Sequence, residues 1–284
     1  MNSASISRRE RRSGRLNLLI AVPVALLAAA PLAWALLASL RPANDLFSSL
    51  FPLSWRLVVP ESVSLDNFAA VLSGSFPTAL MNSIIVAFLS VVFGLLVSSM
   101  AAYAVAVLDF PGRRIVFAIV VVSFLIPFEA IAVPLSQTFR DWGLADSYTG
   151  LVLPAVGNGL AIFLLRQFFL GVPTDLHEAA RLDGLSWFGV FRRIYLPLSK
   201  APLVGAGLII FVFQWQSFLW PLLIAPTPDR AVAPVAIADF AQQDRVDFGQ
   251  MFAATILTVL VPLILVLIFQ RQFTDPVAST GGKE

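Results

Sequence analysis

The sequence lacks the residues that most metal and redox sites require. It has no cysteine and a single histidine, which excludes disulfides and thiolate metal sites. The run HEAAR, residues 177–181, begins like the zinc-protease pattern H-E-x-x-H, but Arg181 stands where the second histidine would be. A G-x-x-x-x-G-K-[ST] phosphate-binding loop is also missing, because Gly281-Gly282-Lys283 has neither the earlier glycine nor the following hydroxyl residue. The chain therefore has no zinc site of that kind and no ATPase machinery of that type.

Charged residues are also scarce. They make up 13% of the chain, against roughly 25% in soluble domains, while 58% of the residues are hydrophobic. The mean hydropathy is +0.85. The net charge of +2 is small, and the basic residues form no stripe of the kind that binds nucleic acid. These values indicate an integral membrane protein rather than a large soluble core.

Six apolar segments are long enough to cross about 30 Å of hydrocarbon as helices. Proline and glycine occur inside them, which membrane helices tolerate better than soluble helices do. The sequence therefore predicts an all-α integral membrane protein that forms a single transmembrane domain over residues 1–284. The predicted spans lie near 16–40, 79–107, 115–137, 149–170, 201–225 and 249–270.

The first of these segments has a second interpretation. RRERRSGR, at residues 8–15, precedes it, as a basic region precedes the apolar core of a cleaved signal peptide. The apolar run is longer than the roughly 7–15 residues of such a core, which favours an uncleaved membrane anchor.

The distribution of Lys and Arg predicts the orientation of the spans. Even-numbered spans return the chain to the side of the N-terminus, and most of the 19 Lys and Arg residues fall on that side. The opposite side holds only Arg41, Arg56, Arg140, Arg230 and Arg245. Because cytoplasmic loops carry the excess of positive charge, we expect both termini and the loop between spans four and five in the cytoplasm.

A charged stretch, EAARLDGLSWFGVFRRIYLP, interrupts the apolar pattern between the fourth and fifth predicted spans, at residues 178–197. Its pattern predicts two short helices joined by a turn. Gly184 is placed to end the first helix in a left-handed conformation, Ser186 to cap the second, and Pro197 to end it. Two interpretations fit: a hairpin that lies on lipid headgroups, or a docking element whose small and aromatic side chains fit a partner's groove.

The same stretch carries a motif at fixed spacing. It resembles the cytoplasmic loop of binding-protein-dependent ABC importer permeases, through Glu178, Ala179, Ala180, Gly184, Ile194, Leu196 and Pro197. The likeness is to the six-span permease subunit of the maltose-type carbohydrate family. It covers roughly residues 65–270, through MNSIIVAFLSVVFGLLVSSMAAYAVAVLDFPGRR, GLVLPAVGNGLAIFLLRQFFLGVPTDLHEAARLDG and FLWPLLIA. The resemblance implies the type I importer permease fold, with a permease core near 78–270 and a cytoplasmic coupling loop at 171–200.

The resemblance also implies a function and partners. The loop would dock in a cleft of a cytoplasmic ATPase subunit and transmit its nucleotide-driven closure to the spans. The chain would be a non-catalytic permease for a sugar or oligosaccharide, or for another polar solute such as a glycerol phosphate or an amino sugar. It would need no cofactor of its own, since ATP and Mg belong to the ATPase. The implied partners are a second homologous permease subunit, an ATPase dimer, an extracytoplasmic solute-binding protein and the lipid of a bacterial-type inner membrane.

The C-terminus departs from the resembled family. That family commonly ends in a Gly-Leu-Thr…Gly-Ala-Val-Lys-Gly tail, whereas this chain ends in RQFTDPVASTGGKE. The resemblance therefore gives no basis for expecting a contact between this tail and the ATPase, and none for excluding one.

Polar residues inside the fifth predicted span are candidates for the substrate pathway. FQWQSFLWP, residues 213–221, contains two amides, a hydroxyl and two tryptophans, which are costly to expose to lipid. On a continuous helix Gln216 and Trp220 share one face, and Gln214 and Ser217 share another. Amides beside an aromatic face suit an uncharged sugar, but the same groups also link helices by hydrogen bonds. The resembled family usually has Asn-Asp at positions 216–217, so the local contacts differ.

Two further polar residues lie inside predicted spans. Glu129, in FLIPFEAIAVP, is interpreted as a pore-facing or interfacial hydrogen-bonding residue, with a proton relay as the alternative. Asn158, between two glycines, marks either the pathway or a site of close helix packing.

Two hypotheses from other classes compete with the permease. A stand-alone secondary transporter would use Glu129 as its proton carrier. A non-transport membrane scaffold would use the charged loop only for docking.

Overall fold

The computed structural model describes residues 3–42, 62–241 and 246–270, and in these ranges the regular structure is entirely helical. The all-α prediction is confirmed. The predictions that rest on Arg56, Arg245 and the tail at 271–284 lie outside the described residues. The chain divides into two compact units, one formed by Met1–Gly74 with Asp239–Val259 and the other by Ser75–Ala238 with Leu260–Glu284.

The first unit contains α1 (Ser3–Ser39), α2 (Asp66–Ser73) and the beginning of α14 (Phe248–Phe269). Trp34 of α1 packs edge-on against Phe252 of α14, with ring centroids 5.1 Å apart. The α14 helix begins with a side-chain cap, because Asp247 accepts hydrogen bonds from the backbone and the side-chain amide of Gln250.

Asn67 holds this unit together. Its buried side-chain amide donates to the carbonyl oxygens of Ser39 and Arg41, at 2.8 Å each, so it satisfies carbonyls that the end of α1 leaves unpaired. A Cβ at position 249 would lie 2.6 Å from Oδ1 of Asn67, which explains why Gly249 stands there. The close approach of α2 and α14 therefore depends on glycine, which has no side chain, at position 249.

The second unit is built around α3, against which α6, α7 and α11 pack. Its helices are α3 (Phe76–Val107), α4 (Arg113–Leu125), α5 (Phe128–Asp141), α6 (Tyr148–Val156), α7 (Gly159–Leu170), α8 (Thr174–Leu182), α9 (Trp187–Val190), a π-helical turn (Phe191–Tyr195), α10 (Leu196–Leu198), α11 (Lys200–Trp215), α12 (Leu219–Ile224) and α13 (Ala233–Asp239).

Small side chains make α3 suitable for this central position. Buried small residues recur at three- and four-residue intervals along it, at Ser83, Ala87, Ser90, Gly94, Ser98 and Ala102. Such a face lets neighbouring helices approach closely without the hydrophobic effect that drives packing in water. A Cβ at position 94 would lie 3.0 Å from Cδ1 of Ile210 and 3.3 Å from the backbone oxygen of Ala155, so any larger residue here would make its neighbours shift by a few tenths of an ångström.

Three helices are long and apolar enough to cross a membrane uninterrupted: Ala21–Ser39, Phe76–Val107 and Phe248–Phe269. Three further candidates are bent pairs: Arg113–Leu125 with Phe128–Asp141 at 98°, Tyr148–Val156 with Gly159–Leu170 at 40°, and Trp187–Leu198 with Lys200–Trp215 at 85°. Length and composition therefore allow three to six spans among the described residues.

The fifth predicted span, 201–225, is not one continuous helix. The helix α11 ends at Trp215, and α12 begins at Leu219. The break precedes Pro221, which lacks a backbone N–H and whose ring clashes with the carbonyl four residues earlier. That carbonyl belongs to Ser217, inside the break.

Candidate functional site

The charged loop folds as two helical segments around a left-handed glycine. Gly184 has φ +82°, and the backbone N–H of Leu185 donates to the carbonyl of Ala180 at 3.0 Å, which closes the end of α8. The Oγ of Ser186 accepts a hydrogen bond from the N–H of Gly189 at 3.1 Å and caps α9. The predicted local structure is therefore confirmed at both positions.

One face of this loop is buried against the spans. Ala180, Val190, Phe191 and Tyr195 belong to a core cluster that also contains residues of α3, α7 and α11, and half-buried Leu185, Ile194 and Leu196 pack against it. Ala180 is small enough for α8 to lie close to this cluster. Three of the motif residues, Ala180, Ile194 and Leu196, are thus brought together on the inner side.

Four aromatic rings form the centre of that cluster. Tyr103 of α3 lies with its ring centroid 5.1 Å from Phe191 and 5.0 Å from Tyr195. Phe169 of α7 packs edge-on against Tyr195 at 5.4 Å and against Tyr103 at 6.4 Å. These separations lie in the range in which aromatic pairs attract one another beyond simple contact. We call these four residues the aromatic cluster.

Polar contacts connect α8 to the rest of the loop. The hydroxyl of Tyr195 lies 3.1 Å from Nδ1 of His177, within hydrogen-bonding distance. The Tyr195 hydroxyl can donate at neutral pH, and burial raises its pKa further above its ordinary value. The guanidinium of Arg181 lies 4.9 Å from the ring of Trp187 and donates to the carbonyl of Leu185.

The other face of α8 is exposed. Leu176, Ala179 and Leu182 are spaced by three residues and lie within about 120° of one another on it, with the exposed Asp175 between Ala179 and Leu182, and Leu182 is 89% exposed. The motif residues Glu178, Ala179, Gly184 and Pro197 are exposed as well. The charged residues of α8 indicate that this helix lies beside water. Leu182 is nevertheless apolar and is not covered by any part of the chain that the structure describes. We call Leu176, Ala179 and Leu182 the outer stripe.

One of the two predicted faces of the fifth span does not form. Gln216 follows the last residue of α11 and is exposed, while Gln214 and Ser217 are half-buried. Trp220 is buried in α12, where its Nε1 donates to the carbonyl of Gly150 at 3.0 Å. The prediction that Gln216 and Trp220 lie on one helical face is wrong, because the helix is interrupted between them.

Trp220 belongs to a cluster separate from the aromatic cluster. Its ring packs edge-on against Phe128 at 5.7 Å and Phe139 at 5.1 Å, both in α5. Its contacts thus join α5, α6 and α12, as expected of a residue that links helices.

Asn158 and Glu129 both lie next to helix breaks. Asn158 caps α7, because its Oδ1 accepts from the N–H of Ala161 at 2.9 Å. The break at Gly157 separates α6 from α7. Glu129 is exposed in the first turn of α5, directly after the 98° bend at Pro127.

Sequence reasoning missed Asn82. Its buried side-chain amide donates to the carbonyls of Asp229 at 3.0 Å and Ala231 at 2.9 Å, and its Oδ1 accepts from the hydroxyl of Tyr148 at 2.7 Å. The guanidinium of Arg230 lies over the Tyr148 ring at 4.6 Å. The sequence signal was an asparagine inside an apolar segment. Its partners lie as many as 149 residues away along the chain and could not be inferred.

Ser83, next in sequence, extends this arrangement. Its Oγ accepts from the N–H of Ala233 at 2.8 Å, at the start of α13. We call Asn82, Ser83 and Tyr148, with the backbone of residues 229–233, the α3 latch. Tyr103, which anchors the opposite end of α3, was likewise absent from the sequence-based site.

In the part of the chain that the structure describes, no group of three or more His, Asp and Glu residues could hold a metal ion.

A family model matches most of the chain that forms these sites. Residues 91–276 match the model described as the binding-protein-dependent transport system inner membrane component. This match covers more than half of the chain, including the charged loop and its aromatic cluster.

Curated relatives span nearly the whole chain. The arabinooligosaccharides transport system permease protein AraQ of Halalkalibacterium halodurans is 34% identical over 262 residues, which cover 92% of this chain and 93% of that protein. The trehalose transport system permease protein SugB of Mycobacterium tuberculosis is 33% identical over 258 residues, covering 89% and 92%. The sn-glycerol-3-phosphate transport system permease protein UgpE of Yersinia pestis is 36% identical over 203 residues, covering 71% and 72%.

A solved structure shares the fold. A chain of a bacterial ABC transporter involved in the import of the acidic polysaccharide alginate matches with a TM-score of 0.74 and 21% identity, covering 97% of this chain and 98% of that one. A chain of an alginate ABC transporter in complex with an alginate pentasaccharide-bound periplasmic protein matches with a TM-score of 0.59 and 18% identity, covering 81% and 96%.

Proposed function

The chain belongs to the family of binding-protein-dependent transport system inner membrane components, and we propose that it is the permease subunit of an ATP-driven importer for a sugar or oligosaccharide. It is a multi-pass, non-catalytic membrane protein. Its work is therefore to form a pathway and to change shape when a separate subunit hydrolyses ATP.

The observation that carries this proposal is the two-sided structure of the charged loop. Its inner side packs on the aromatic cluster, and its outer stripe exposes Leu182 almost completely. We take the exposed leucines of this stripe, which face water on a loop outside the predicted spans, as the contact surface for a partner that covers them. A cytoplasmic ATPase subunit with an apolar groove is a suitable partner, because an exposed helix can lay its apolar side chains in such a groove.

The orientation and span count form part of the proposal. The three uninterrupted helices, the two bent pairs before the loop and α11 after it give six spans, and the excess of Lys and Arg on the side of the N-terminus supports cytoplasmic termini. The loop at 171–200 then faces the ATPase. Domain limits of 1–284, with a permease core near 78–270, follow from the same arrangement.

An uncharged, polyhydroxylated substrate suits the proposed pathway. The last turn of α11 and the break after it contribute amides and a hydroxyl from Gln214, Gln216 and Ser217, and no charged side chain. Amides and hydroxyls hydrogen-bond to a sugar, whereas a phosphate ester would be expected to require a cation in the site. This distinction favours a sugar, as transported by the arabinooligosaccharide and trehalose relatives, over sn-glycerol-3-phosphate.

Three other residues keep secondary roles in the proposal. Glu129 lines the pathway after the bend at Pro127 as a hydrogen-bonding group rather than a proton carrier. Asn158 shapes the pathway by capping α7 at the α6–α7 break. Trp220 holds the wall behind the pathway, because its indole N–H is already bonded to Gly150.

The proposed partners complete a transporter. They are a second, homologous permease subunit, a dimer of ATPase subunits that binds ATP and Mg, and an extracytoplasmic solute-binding protein. A periplasmic binding protein accompanies the related alginate transporter. No nucleic acid is involved.

Reconstitution tests the proposal directly. The chain is placed in liposomes with its companion permease, and with or without the ATPase and the binding protein, and uptake of radiolabelled sugar is followed. We expect uptake only when ATP, ATPase and binding protein are all present. Uptake by this chain alone, driven by a proton gradient and abolished by Glu129→Gln, would establish the secondary transporter instead.

Two variants test the separate surfaces. Leu182→Asp, which charges the outer stripe, should prevent co-purification of the ATPase. Leu65→Asp is the control, because Leu65 is also well exposed but lies before α2, on the side proposed to face away from the ATPase. Gln216→Ala should raise the KM for uptake without changing ATPase binding. Unchanged uptake kinetics would make Gln216 a residue without a role in the pathway.

A further inference from the structure

We infer that Tyr103 is the positioning residue that connects the coupling loop to the central helix α3, and that its hydroxyl sets how tightly transport follows ATP hydrolysis. The inference rests on the proposed function, because it requires an ATPase that moves the loop. Tyr103 lies outside the charged motif, 84 residues before its hydrogen-bond partner in the loop.

The first observation is the position of the Tyr103 hydroxyl. The side chain is 5% exposed, and its Oη donates to the carbonyl oxygen of Trp187 at 3.1 Å. Trp187 is the first residue of α9, and its carbonyl also accepts from the N–H of Phe191. The bond therefore joins α3 to the start of the second helical segment of the loop.

The second observation is the π-helical turn at Phe191–Tyr195. A π-helical turn widens the helix by one residue and is found frequently at functional sites. Both residues that delimit this turn are buried, and both direct their rings to Tyr103, at 5.1 and 5.0 Å. The segment contacts α3 through Tyr103 by a directional bond and by two ring contacts.

The third observation is the link from the outer stripe to the same point. α8 carries the stripe, and two of its other residues reach the second helical segment: His177 contacts Tyr195, and Arg181 stacks on Trp187. A displacement of α8 is thus passed to Tyr195 and Trp187, two of the three loop residues that contact Tyr103. Because α6, α7 and α11 pack on α3, a movement received by Tyr103 reaches the core of the second unit.

The hydroxyl and the ring of Tyr103 have different roles in this arrangement. The ring of Tyr103 packs in the aromatic cluster and keeps the loop folded on the spans, whereas the hydroxyl supplies the only directional bond from α3 to the loop among the described residues. Phenylalanine at this position preserves the packing and removes the bond. The inference therefore predicts a change in coupling with little change in folding.

The test uses the complete importer in liposomes and measures sugar uptake and ATP hydrolysis in the same preparation. For Tyr103→Phe we expect the sugar imported per ATP hydrolysed to fall about fivefold, the scale of one lost hydrogen bond, while ATPase binding is retained. Tyr195→Phe, which removes the contact with His177, should lower the same ratio.

Tyr148→Phe is the matched control. It removes one part-buried tyrosine hydroxyl bond from the opposite end of α3 and should leave the ratio unchanged. A merely structural role for Tyr103 would lower uptake and hydrolysis in proportion, or lower the yield of assembled complex, and either result overturns the inference. The wild-type importer is measured in parallel: uptake that needs no ATPase overturns the proposed function itself, and this inference with it.

Discussion

The two ends of α3 hold their surroundings by different chemistry. At the N-terminal end, Asn82 makes three hydrogen bonds within the α3 latch. At the C-terminal end, Tyr103 makes one hydrogen bond and three ring contacts. The two side chains lie about 31 Å apart along the helix, at 1.5 Å per residue. One helix thus carries two anchors on opposite sides of the predicted span.

The difference teaches how a single helix can be rigid at one end and responsive at the other. Hydrogen bonds weaken steeply when their angle or distance changes, so the α3 latch fixes residues 229–231 in one position. Ring contacts tolerate small displacements, because several offset and edge-on geometries are of similar energy. The aromatic cluster is therefore suited to a loop that moves, and the latch to one that stays in place.

The largest expected effect is a loss of the latch. Asn82→Leu leaves the carbonyls of Asp229 and Ala231 and the hydroxyl of Tyr148 without their partner, which costs about 1–3 kcal/mol for the buried Ala231 carbonyl and less for the two part-buried groups. We expect a marked fall in the Tm of the detergent-purified protein and faster proteolysis in the segment 226–233. Asn82→Asp, of the same shape, should be almost as damaging because it removes both donors. An unchanged Tm in both variants would show that the latch does not hold this segment.

The second largest effect tests whether strain at Gly184 disturbs the coupling of ATP hydrolysis to uptake because of its place in the loop. Gly184→Val forces a β-branched residue to φ +82°, at a cost of about 1–2 kcal/mol, and should uncouple ATP hydrolysis from uptake while the spans still insert. Gly112→Val provides the matched control, since Gly112 has φ +83° in the turn before α4 and likewise open space around it. Equal loss of coupling in the two variants would mean that backbone strain alone, and not the loop, is responsible.

A smaller effect sharpens the description of the latch. Tyr148→Phe removes one of the three hydrogen bonds of Asn82 and keeps the ring on which Arg230 stacks. We expect a loss of about 1 kcal/mol in the free energy of unfolding, clearly less than for Asn82→Leu. Denaturant titration of both variants measures the ratio. Equal losses would place most of the stabilisation in the tyrosine hydroxyl.

The smallest expected effect is the interaction free energy between Asn82 and Tyr103, the two anchors of α3, in protein stability. Asn82→Leu combined with Tyr103→Phe should destabilise the protein by the sum of the two single changes, within about 0.5 kcal/mol, because the sites share no partner and lie far apart. A double-mutant cycle on thermal unfolding measures this quantity. A larger interaction energy would indicate that α3 transmits the state of one anchor to the other.

Local features of the site were accessible from the sequence because they depend on neighbouring residues. Gly184 ends α8 and Ser186 caps α9 as predicted, since turn and cap preferences act over three or four residues. The all-helical architecture and the family follow from apolar runs and from a motif of seven positions. The roles of the motif residues and of the candidate pathway residues remain predictions.

The failures share a physical cause. A continuous fifth helix was expected because the segment is uniformly apolar, but Pro221 ends the hydrogen-bond ladder before it, which separates Gln216 from Trp220. A helical wheel assumes the continuity that such a proline removes. The predicted face therefore does not form, and Trp220 packs instead against Phe128 and Phe139 of α5.

By itself, the sequence determined the helical class, the apolar segments and the turn at Gly184, because composition, periodicity and glycine's access to positive φ are local properties. Only the tertiary structure decided which residues anchor α3. Asn82 bonds to a carbonyl 147 residues away, and Tyr103 to one 84 residues away. No spacing in the chain encodes such pairs, because they exist only once packed helices have brought distant backbone groups within hydrogen-bonding distance.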